Sequence, residues 1–151
     1  MSENKLIDGV LVTPLSIFAD HRGSVMHMLR ADAPHFVSFG EIYFSCVNQG
    51  VIKGWRRHTR MVQNLAVPAG RIQFVLHDDR PGSATRGITQ GIVMGPRATY
   101  ALLTVQPNIW CAFKGLADGV SVMANCASIG HDPAEGESLA LSDLPVTVAW
   151  L

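Results

Sequence analysis

Residues 61–83, "MVQNLAVPAGRIQFVLHDDRPGS", contain two apolar runs that are separated by Pro-Ala-Gly and followed by a charged Pro-Gly segment. Apolar runs of this length, bounded by turn-forming residues, are typical of β-strands. The pattern recurs in further segments: "FGEIYFSCVNQG", "VIKGWRRH", "GITQGIVMGPRATYALLTVQPNIWCAFKG" and "GVSVMANCASIG". We therefore predict an all-β sandwich or barrel, closed or nearly closed, with a ligand cavity at its mouth. Only "DPAEGESLAL", which starts at Asp132-Pro133, favours a helical turn.

The composition favours one globular domain over residues 1–151. Hydrophobic residues make up 48% of the 151 residues and charged residues 16%, which is enough for a sizeable core and argues against disorder. Lys plus Arg and Asp plus Glu each number 12, so no overall basic field attracts nucleic acid. Binding of an anion therefore requires a local basic cluster.

The cysteines and the N-terminus favour a reducing compartment. Cys46, Cys111 and Cys126 lie in apolar runs and form no CxxC pair, so we predict three buried free thiols. The N-terminus lacks a basic segment followed by an apolar run, and no apolar run approaches the ~18–20 residues of a membrane span. We expect a soluble cytoplasmic protein without a signal peptide.

One basic cluster is dense: Lys53, Arg56, Arg57, His58 and Arg60 lie within eight positions. Alternation of side chains along a strand places Arg56, His58 and Arg60 on one face. Two guanidiniums around one imidazole suit a phosphate-bearing substrate, with His58 transferring a proton. The alternative is an exposed edge strand whose charges prevent aggregation.

Two other segments carry charged side chains that could act in a site. In "DHRG", Arg22 either reaches a phosphate, held by Asp20, or belongs to a solvated turn. In "GHDPAEGESLALSDLP", one carboxylate either orients a catalytic imidazole or favours a helix N-terminus. Spacing does not select among these carboxylates, which are Asp132, Glu135, Glu137 and Asp143.

Metal-ligand and nucleophile motifs are absent from the sequence. Arg60 stands where the second histidine of an HxH pair with His58 would lie, and the other histidines are scattered singly. We therefore predict no catalytic metal. Cys111, beside Trp110 and Phe113, is interpreted as a packing residue rather than a reactive thiolate.

With these residues in view, the chain resembles the dTDP-4-dehydrorhamnose 3,5-epimerase family over nearly its full length. The segments that carry the resemblance are "DHRGSVMHMLR", "SCVNQGVIKGWRRH", "VPAGRIQFVLHDDRPGS", "VQPNIWCAFKGL" and "HDPAEGESLALSDLPVTVAW". The resemblance implies a cupin-type jelly-roll homodimer that uses no metal and no cofactor. It also implies proton transfer beside the ketone of a nucleotide-linked 4-keto-6-deoxyhexose, with a nucleotide-diphosphate sugar as the partner.

The resemblance assigns roles residue by residue. Arg22 corresponds to the arginine that contacts the diphosphate, Lys53 to the arginine before the family's Gly-Leu-His, and Gln63 lies near the enolate-stabilising lysine. Arg56 or Arg60 could supply that cation instead. Arg56 occupies the position of the family's histidine, and we expect His58, two residues further on the same strand, to act as the base.

The remaining roles have alternatives. The family's tyrosine is missing from "NCASIGHDP", so Tyr43 or His131 could replace it as the acid. Asp143 or Asp132 is expected to support the histidine. Because the family's tyrosine is missing, we predict epimerisation at one carbon only, with C3 as the expected position. The alternatives are a ketoisomerase of the same fold and a non-catalytic module that binds a sugar nucleotide; a metal-dependent cupin dioxygenase is disfavoured by the few histidines.

Overall fold

The protein is almost entirely β-structure. A computed structural model describes residues 6–151. Within them the strands are β1 Val10–Pro14, β2 Ile17–Asp20, β3 Gly23–Met26, β4 Glu41–Asn48, β5 Ile52–His58, β6 Gln63–Ala69, β7 Ile72–His77, β8 Thr89–Met94, β9 Ala101–Val105, β10 Trp110–Gly115, β11 Val120–Ala127 and β12 Gly136–Ser138. A short 3-10 helix, Leu141–Asp143, follows β12.

Two five-stranded sheets face each other. One has the order β1-β9-β6-β11-β4 and the other β12-β5-β10-β7-β8, while β2 and β3 form a separate hairpin. The strand pairs within the sheets and the hairpin are antiparallel. This confirms the predicted all-β, cupin-type jelly-roll class.

The two strands predicted in residues 61–83 are β6 and β7, and they belong to different sheets. Pro68 and Ala69 of the predicted turn still belong to β6, so the chain crosses the sandwich at Gly70 and Arg71. Gly70 has a φ of 83°, and a β-carbon there would overlap the Ser121 side chain. Glycine is required at this position because other residues disfavour positive φ and because no space for a side chain exists.

The main core lies between the sheets and is formed by inward-facing side chains of both. Its largest fully buried members are Ile7, Leu65, Ile72, Phe74, Leu76, Met94, Leu103 and Ile109. A second cluster covers the outer face of β5, β7 and β10. Trp55 and Trp110 pack there beneath Leu139, Leu144, Val146, Val148 and Trp150. The C-terminal segment is thus a cover that explains why every residue of β7 is buried.

The helical turn predicted from Asp132 is wrong. Asp132 Oδ1 accepts a hydrogen bond from the Ala134 amide at 3.0 Å, and its carbonyl accepts one from the Glu135 amide at 3.1 Å. The segment therefore forms a tight turn, and Gly136–Ser138 then pair with β5 as a strand. An aspartate side chain that bonds nearby amides competes with helix formation.

The prediction of three buried thiols is wrong, because only one of them is fully buried. Cys111 is buried, Cys126 is half-buried and Cys46 is exposed. Cys46 lies on β4, where Ile42 and Phe44 are also exposed, because alternate residues of this strand face outward. No helix within residues 6–151 is long and apolar enough to cross a membrane.

Candidate active site

A cavity of ≈ 330 Å³ opens between the two sheets. Strands β4, β6 and β11 line it from one sheet, and β5 and β10 from the other. Its walls are Tyr43, Ser45, Lys53, Gly54, Arg56, His58, Met61, Gln63, Leu65, Cys111, Phe113, Met123 and His131. The cavity combines an apolar interior with a few cationic and titratable groups, as small-ligand sites commonly do.

A buried His–Glu pair lies at this cavity. His58 Nδ1 and Glu135 Oε2 are 2.7 Å apart, and the two side chains are 6% and 1% exposed. Glu135 reaches His58 because the next residue, Gly136, pairs directly with His58 across β12 and β5. A carboxylate on Nδ1 favours the tautomer whose Nε2 carries a free lone pair, so His58 is held as a base.

Glu135 is held ionised at this position. Burial raises its pKa, but the hydrogen bond from His58 and those from the Arg60 and Met61 amides together outweigh burial. The two amides donate to Glu135 Oε1 at 3.0 and 2.8 Å. The pKa of Glu135 is therefore lowered from 4.5 to about 2. A permanently charged carboxylate stabilises the imidazolium that forms when His58 takes a proton.

The carboxylate beside His58 is therefore neither of the two that the resemblance favoured. The Asp143 carboxylate accepts a hydrogen bond from the Ala140 main-chain N–H at 2.8 Å and so caps the N-terminus of the short 3-10 helix. Asp132 forms an ion pair with Arg60 at 3.0 Å. Neither aspartate contacts the imidazole, because the turn at 133–135 brings Glu135 to it first.

Two cations line the cavity beside His58. Strand β10 pairs Cys111 with Arg56 but Phe113 with Lys53, so the one residue between them on β10 opposes two residues of β5. This irregularity breaks the alternation of side chains and turns both Lys53 and Arg56 toward the cavity. Their charges favour an anionic ligand.

Neighbouring side chains position these cations. Lys53 Nζ donates to Ser45 Oγ at 3.0 Å, and Arg56 Nη1 donates to Ser138 Oγ at 3.2 Å. A β-carbon at Gly136 would overlap the Arg56 guanidinium, so the glycine provides the space that Arg56 occupies.

The predicted shared face includes Arg56 and His58 but not Arg60. Strand β5 ends at His58, and the side chain of Arg60, 61% exposed, points to Asp132 outside the cavity. Arg57 lies on the outer face, 4.4 Å from the centre of the Trp110 ring.

Tyr43, Gln63 and His131 also line the cavity. Tyr43 stands on β4 and His58 on β5, so the phenol and the imidazole enter from opposite sheets. The Tyr43 hydroxyl oxygen accepts a hydrogen bond from Asn125 Nδ2 at 2.8 Å. A base and a hydroxyl on facing walls can act on opposite faces of one bound molecule.

Arg22 lies away from the cavity of its own chain. It sits in the turn between β2 and β3, where its Nη2 pairs with Asp20 Oδ2 at 2.6 Å. The hairpin is almost wholly exposed, and Phe18 and Val25 are 60% and 62% exposed.

Within the described residues, no group of three or more His, Cys, Asp or Glu side chains could hold a metal ion. The buried thiol of Cys111 is at the cavity, but burial raises its pKa to about 12. Cys111 is therefore protonated at neutral pH and packs as an apolar side chain.

Sequence reasoning selected neither Glu135, which contacts His58, nor Asn125, which contacts Tyr43. Glu135 was one of several carboxylates in its segment, and only the pairing of β12 with β5 selects it. Asn125 lies in the apolar run "GVSVMANCASIG", where a lone amide is an available signal, since a buried amide needs hydrogen-bond partners.

Two antiparallel sheets around a cavity with a His–Glu pair and two cations define a cupin-type jelly-roll protein equipped for acid–base chemistry. The family model for dTDP-4-dehydrorhamnose 3,5-epimerase matches residues 4–151, and the chain belongs to this family. The predicted class of enzyme is thereby confirmed: an isomerase that epimerises nucleotide-linked sugars in deoxysugar and polysaccharide biosynthesis.

Relatives in other organisms agree with this assignment. The chain is 30% identical over 121 residues to a probable low-salt glycan biosynthesis epimerase of Haloferax volcanii, covering 79% of this chain and 77% of that protein. It is 33% identical over 118 residues to a spore coat polysaccharide biosynthesis protein of Bacillus subtilis, covering 78% and 73%. The structure of a dTDP sugar isomerase from Desulfovibrio desulfuricans G20 is similar with a TM-score of 0.90 and 37% identity, covering 93% and 91%.

Proposed function

We propose that this chain epimerises a nucleotide-linked 4-keto-6-deoxyhexose at C3, with His58 as the general base. The observation that carries the proposal is the 2.7 Å contact between His58 Nδ1 and Glu135 at the cavity wall. Among the described residues, no side chain or amide bonds His58 Nε2. That nitrogen is therefore available to a proton on the bound sugar.

The chemistry follows from the groups around His58. Nε2 takes the proton from C3, the C3–H electron pair moves toward the C4 carbonyl, and negative charge develops on its oxygen. Arg56 and Lys53 are the cations that can stabilise this enolate or the diphosphate of the substrate. One well-placed donor to such an oxyanion contributes about 3–4 kcal/mol to the transition state.

Inversion requires a proton from the other face, and we propose Tyr43 as its source. Tyr43 enters from the sheet opposite to His58 and is the tyrosine that lines the cavity. One base and one acid on facing walls support inversion of a single carbon. Gln63 is assigned to substrate binding from β6, while the ion pair of Arg60 with Asp132 argues against its contacting substrate.

We further propose a homodimer of single-domain chains working in a reducing cytosol. Supporting the dimer, the outward face of β4 exposes Ile42 and Phe44, and the β2–β3 hairpin exposes Phe18 and Val25. Arg22, on that hairpin, would contact the diphosphate across the dimer. The three free cysteines suit a reducing compartment. Sedimentation of the wild type and of a Phe44→Asp variant tests the dimer: a monomeric wild type overturns it.

The test of the activity is solvent exchange. The protein is incubated in D2O with dTDP-linked 4-keto-6-deoxyglucose, and deuterium is located by NMR. We expect deuterium at C3 with an inverted product and none at C5. Deuterium at both carbons would show a double epimerase, and a shifted carbonyl a ketoisomerase. Binding without any exchange would show a non-catalytic module and overturn the proposal.

A further inference from the structure

A buried chain of polar groups leads from the interior of one sheet to the cavity. Thr104 Oγ1 donates to the side-chain oxygen Asn64 Oδ1 at 2.9 Å, and the main-chain N–H of Asn64 donates to Asn125 Oδ1 at 3.1 Å. Asn125 Nδ2 then donates to the Tyr43 hydroxyl oxygen at 2.8 Å. Thr104, Asn64 and Asn125 are at most 2% exposed. Buried polar groups are costly unless they are bonded, so this chain has a definite arrangement.

The orientation of the Asn125 side chain is fixed by the main chain. Its Oδ1 faces the Asn64 N–H, which can only donate, so the amide cannot be flipped without losing that bond. Its Nδ2 must therefore face Tyr43, with Met61 Sδ as a second neighbour at 3.8 Å.

This orientation determines what the Tyr43 hydroxyl can do. An NH2 group cannot accept a hydrogen bond, so the phenolic oxygen must be the acceptor in the contact with Asn125. The proton of Tyr43 is then left for another partner. Among the described residues no acceptor takes it, and Tyr43 lines the cavity. The hydroxyl therefore presents its proton to whatever occupies the cavity.

We infer that Asn125 is a positioning residue that holds Tyr43 as a proton donor toward the bound sugar. The inference rests on the proposed epimerase function. In the step concerned, the Tyr43 O–H bond breaks and a C3–H bond forms on the face away from His58. The resulting phenolate is stabilised by the Asn125 N–H and regains a proton from solvent, while His58 releases the proton that it took.

The test is Asn125→Asp, studied at pH 8. The change keeps the side-chain volume and the oxygen that accepts the hydrogen bond from the main-chain N–H of Asn64. It replaces the NH2 group that faces Tyr43 with a carboxylate oxygen. Tyr43 should then donate to the aspartate and no longer to the sugar. Removal of the C3 proton by His58 is unaffected, so deuterium still enters C3. The deuterium is then delivered to the face from which the proton was removed, and the configuration is retained.

We expect the ratio of inverted product to C3 exchange to fall about 10²-fold or more, within the range that a general acid contributes. Tyr43→Phe should lower the ratio similarly, and the double variant should show little further loss, because the two residues act as one unit. If Asn125→Asp does not fold, Asn125→Leu serves instead, since it also removes the donor and should lower the same ratio.

The matched control is Ser128→Ala, which removes another buried hydrogen bond, from the Val62 amide at 2.8 Å, outside the cavity. It should lower thermal stability and leave the ratio unchanged. An unchanged ratio in the Asn125 variant, or an equal fall in the control, overturns the role of Asn125 while the epimerase function stands. A wild type without any exchange overturns both.

Discussion

Replacing Glu135 with glutamine should disable the base while preserving the shape of the site. Glu135 Oε1 accepts hydrogen bonds from two main-chain N–H groups, those of Arg60 and Met61. Only the oxygen of a glutamine can replace it there, so the glutamine NH2 will face His58. Nδ1 must then accept, and the imidazole proton moves to Nε2, the atom that has to remove the substrate proton. Loss of tautomer control can cost about 10⁴-fold in kcat. We expect C3 exchange to fall by about 10²–10⁴-fold, the contribution of a general base.

The same substitution should lower stability in a pH-dependent way. The pKa of Glu135 is about 2 in the folded protein against its usual 4.5. At about 1.4 kcal/mol for each pH unit, this difference stabilises the folded state by roughly 3 kcal/mol. Because the folded pKa is the lower one, the contribution is complete above pH 4.5 and is lost as the pH falls toward 2. For a chain of this size it corresponds to about 6–12 °C in Tm.

The assay is denaturant unfolding of wild type and Glu135→Gln between pH 7 and pH 2.5, alongside the exchange rate at pH 7. We expect the difference in free energy of unfolding to be largest near neutrality and to shrink below pH 4.5. Glu137→Gln is the matched control, since Glu137 is 49% exposed and pairs with Arg57 on the surface, where such pairs contribute about 0–1 kcal/mol. A difference that is constant with pH, or exchange within tenfold of wild type, would refute the reasoning.

Three further predictions concern other groups. Gly136→Ala should displace the Arg56 guanidinium and weaken substrate binding by about 10–100-fold, which is what one hydrogen bond to a charged group contributes. An unchanged affinity for the substrate, measured by calorimetry, would contradict this. Lys53→Met should weaken binding about tenfold and reduce its salt dependence, since one cation is removed; an unaltered salt dependence would speak against its contact with an anion. A thiol reagent should label Cys111, whose pKa burial raises to about 12, only after unfolding, as mass spectrometry of the labelled peptides would show; labelling of Cys111 in the native protein would contradict its burial.

The fold was predictable because its strands are regular and their turns are marked by glycine, proline and asparagine. The strand–turn–strand pattern of residues 61–83 became β6 and β7 as predicted. What the pattern could not show is that these strands belong to different sheets, because strand pairing depends on contacts distant in sequence.

The cavity was predictable in part. Alternation along β5 correctly placed Arg56 and His58 together, but it failed for Arg60, which lies past the strand end, and for Lys53, which an irregularity turns inward. Glu135 could not be selected from its neighbours, since its position depends on a three-residue strand without apolar periodicity. Alternation along a strand therefore predicts which side chains share a face. It does not predict which of them enter the cavity, because this depends on the irregular pairing of β5 with β10 and on the short strand β12.

The central claim, that His58 removes a proton beside the ketone, is tested most directly by deuterium incorporation at C3 in wild type and His58→Asn. The variant keeps a side chain able to donate to Glu135, and binding of dTDP serves as the control for folding. We predict C3 deuteration by the wild type and a loss of at least about 10²-fold in the variant, with dTDP still bound. Equal deuteration by both proteins, or none by either, would contradict the account.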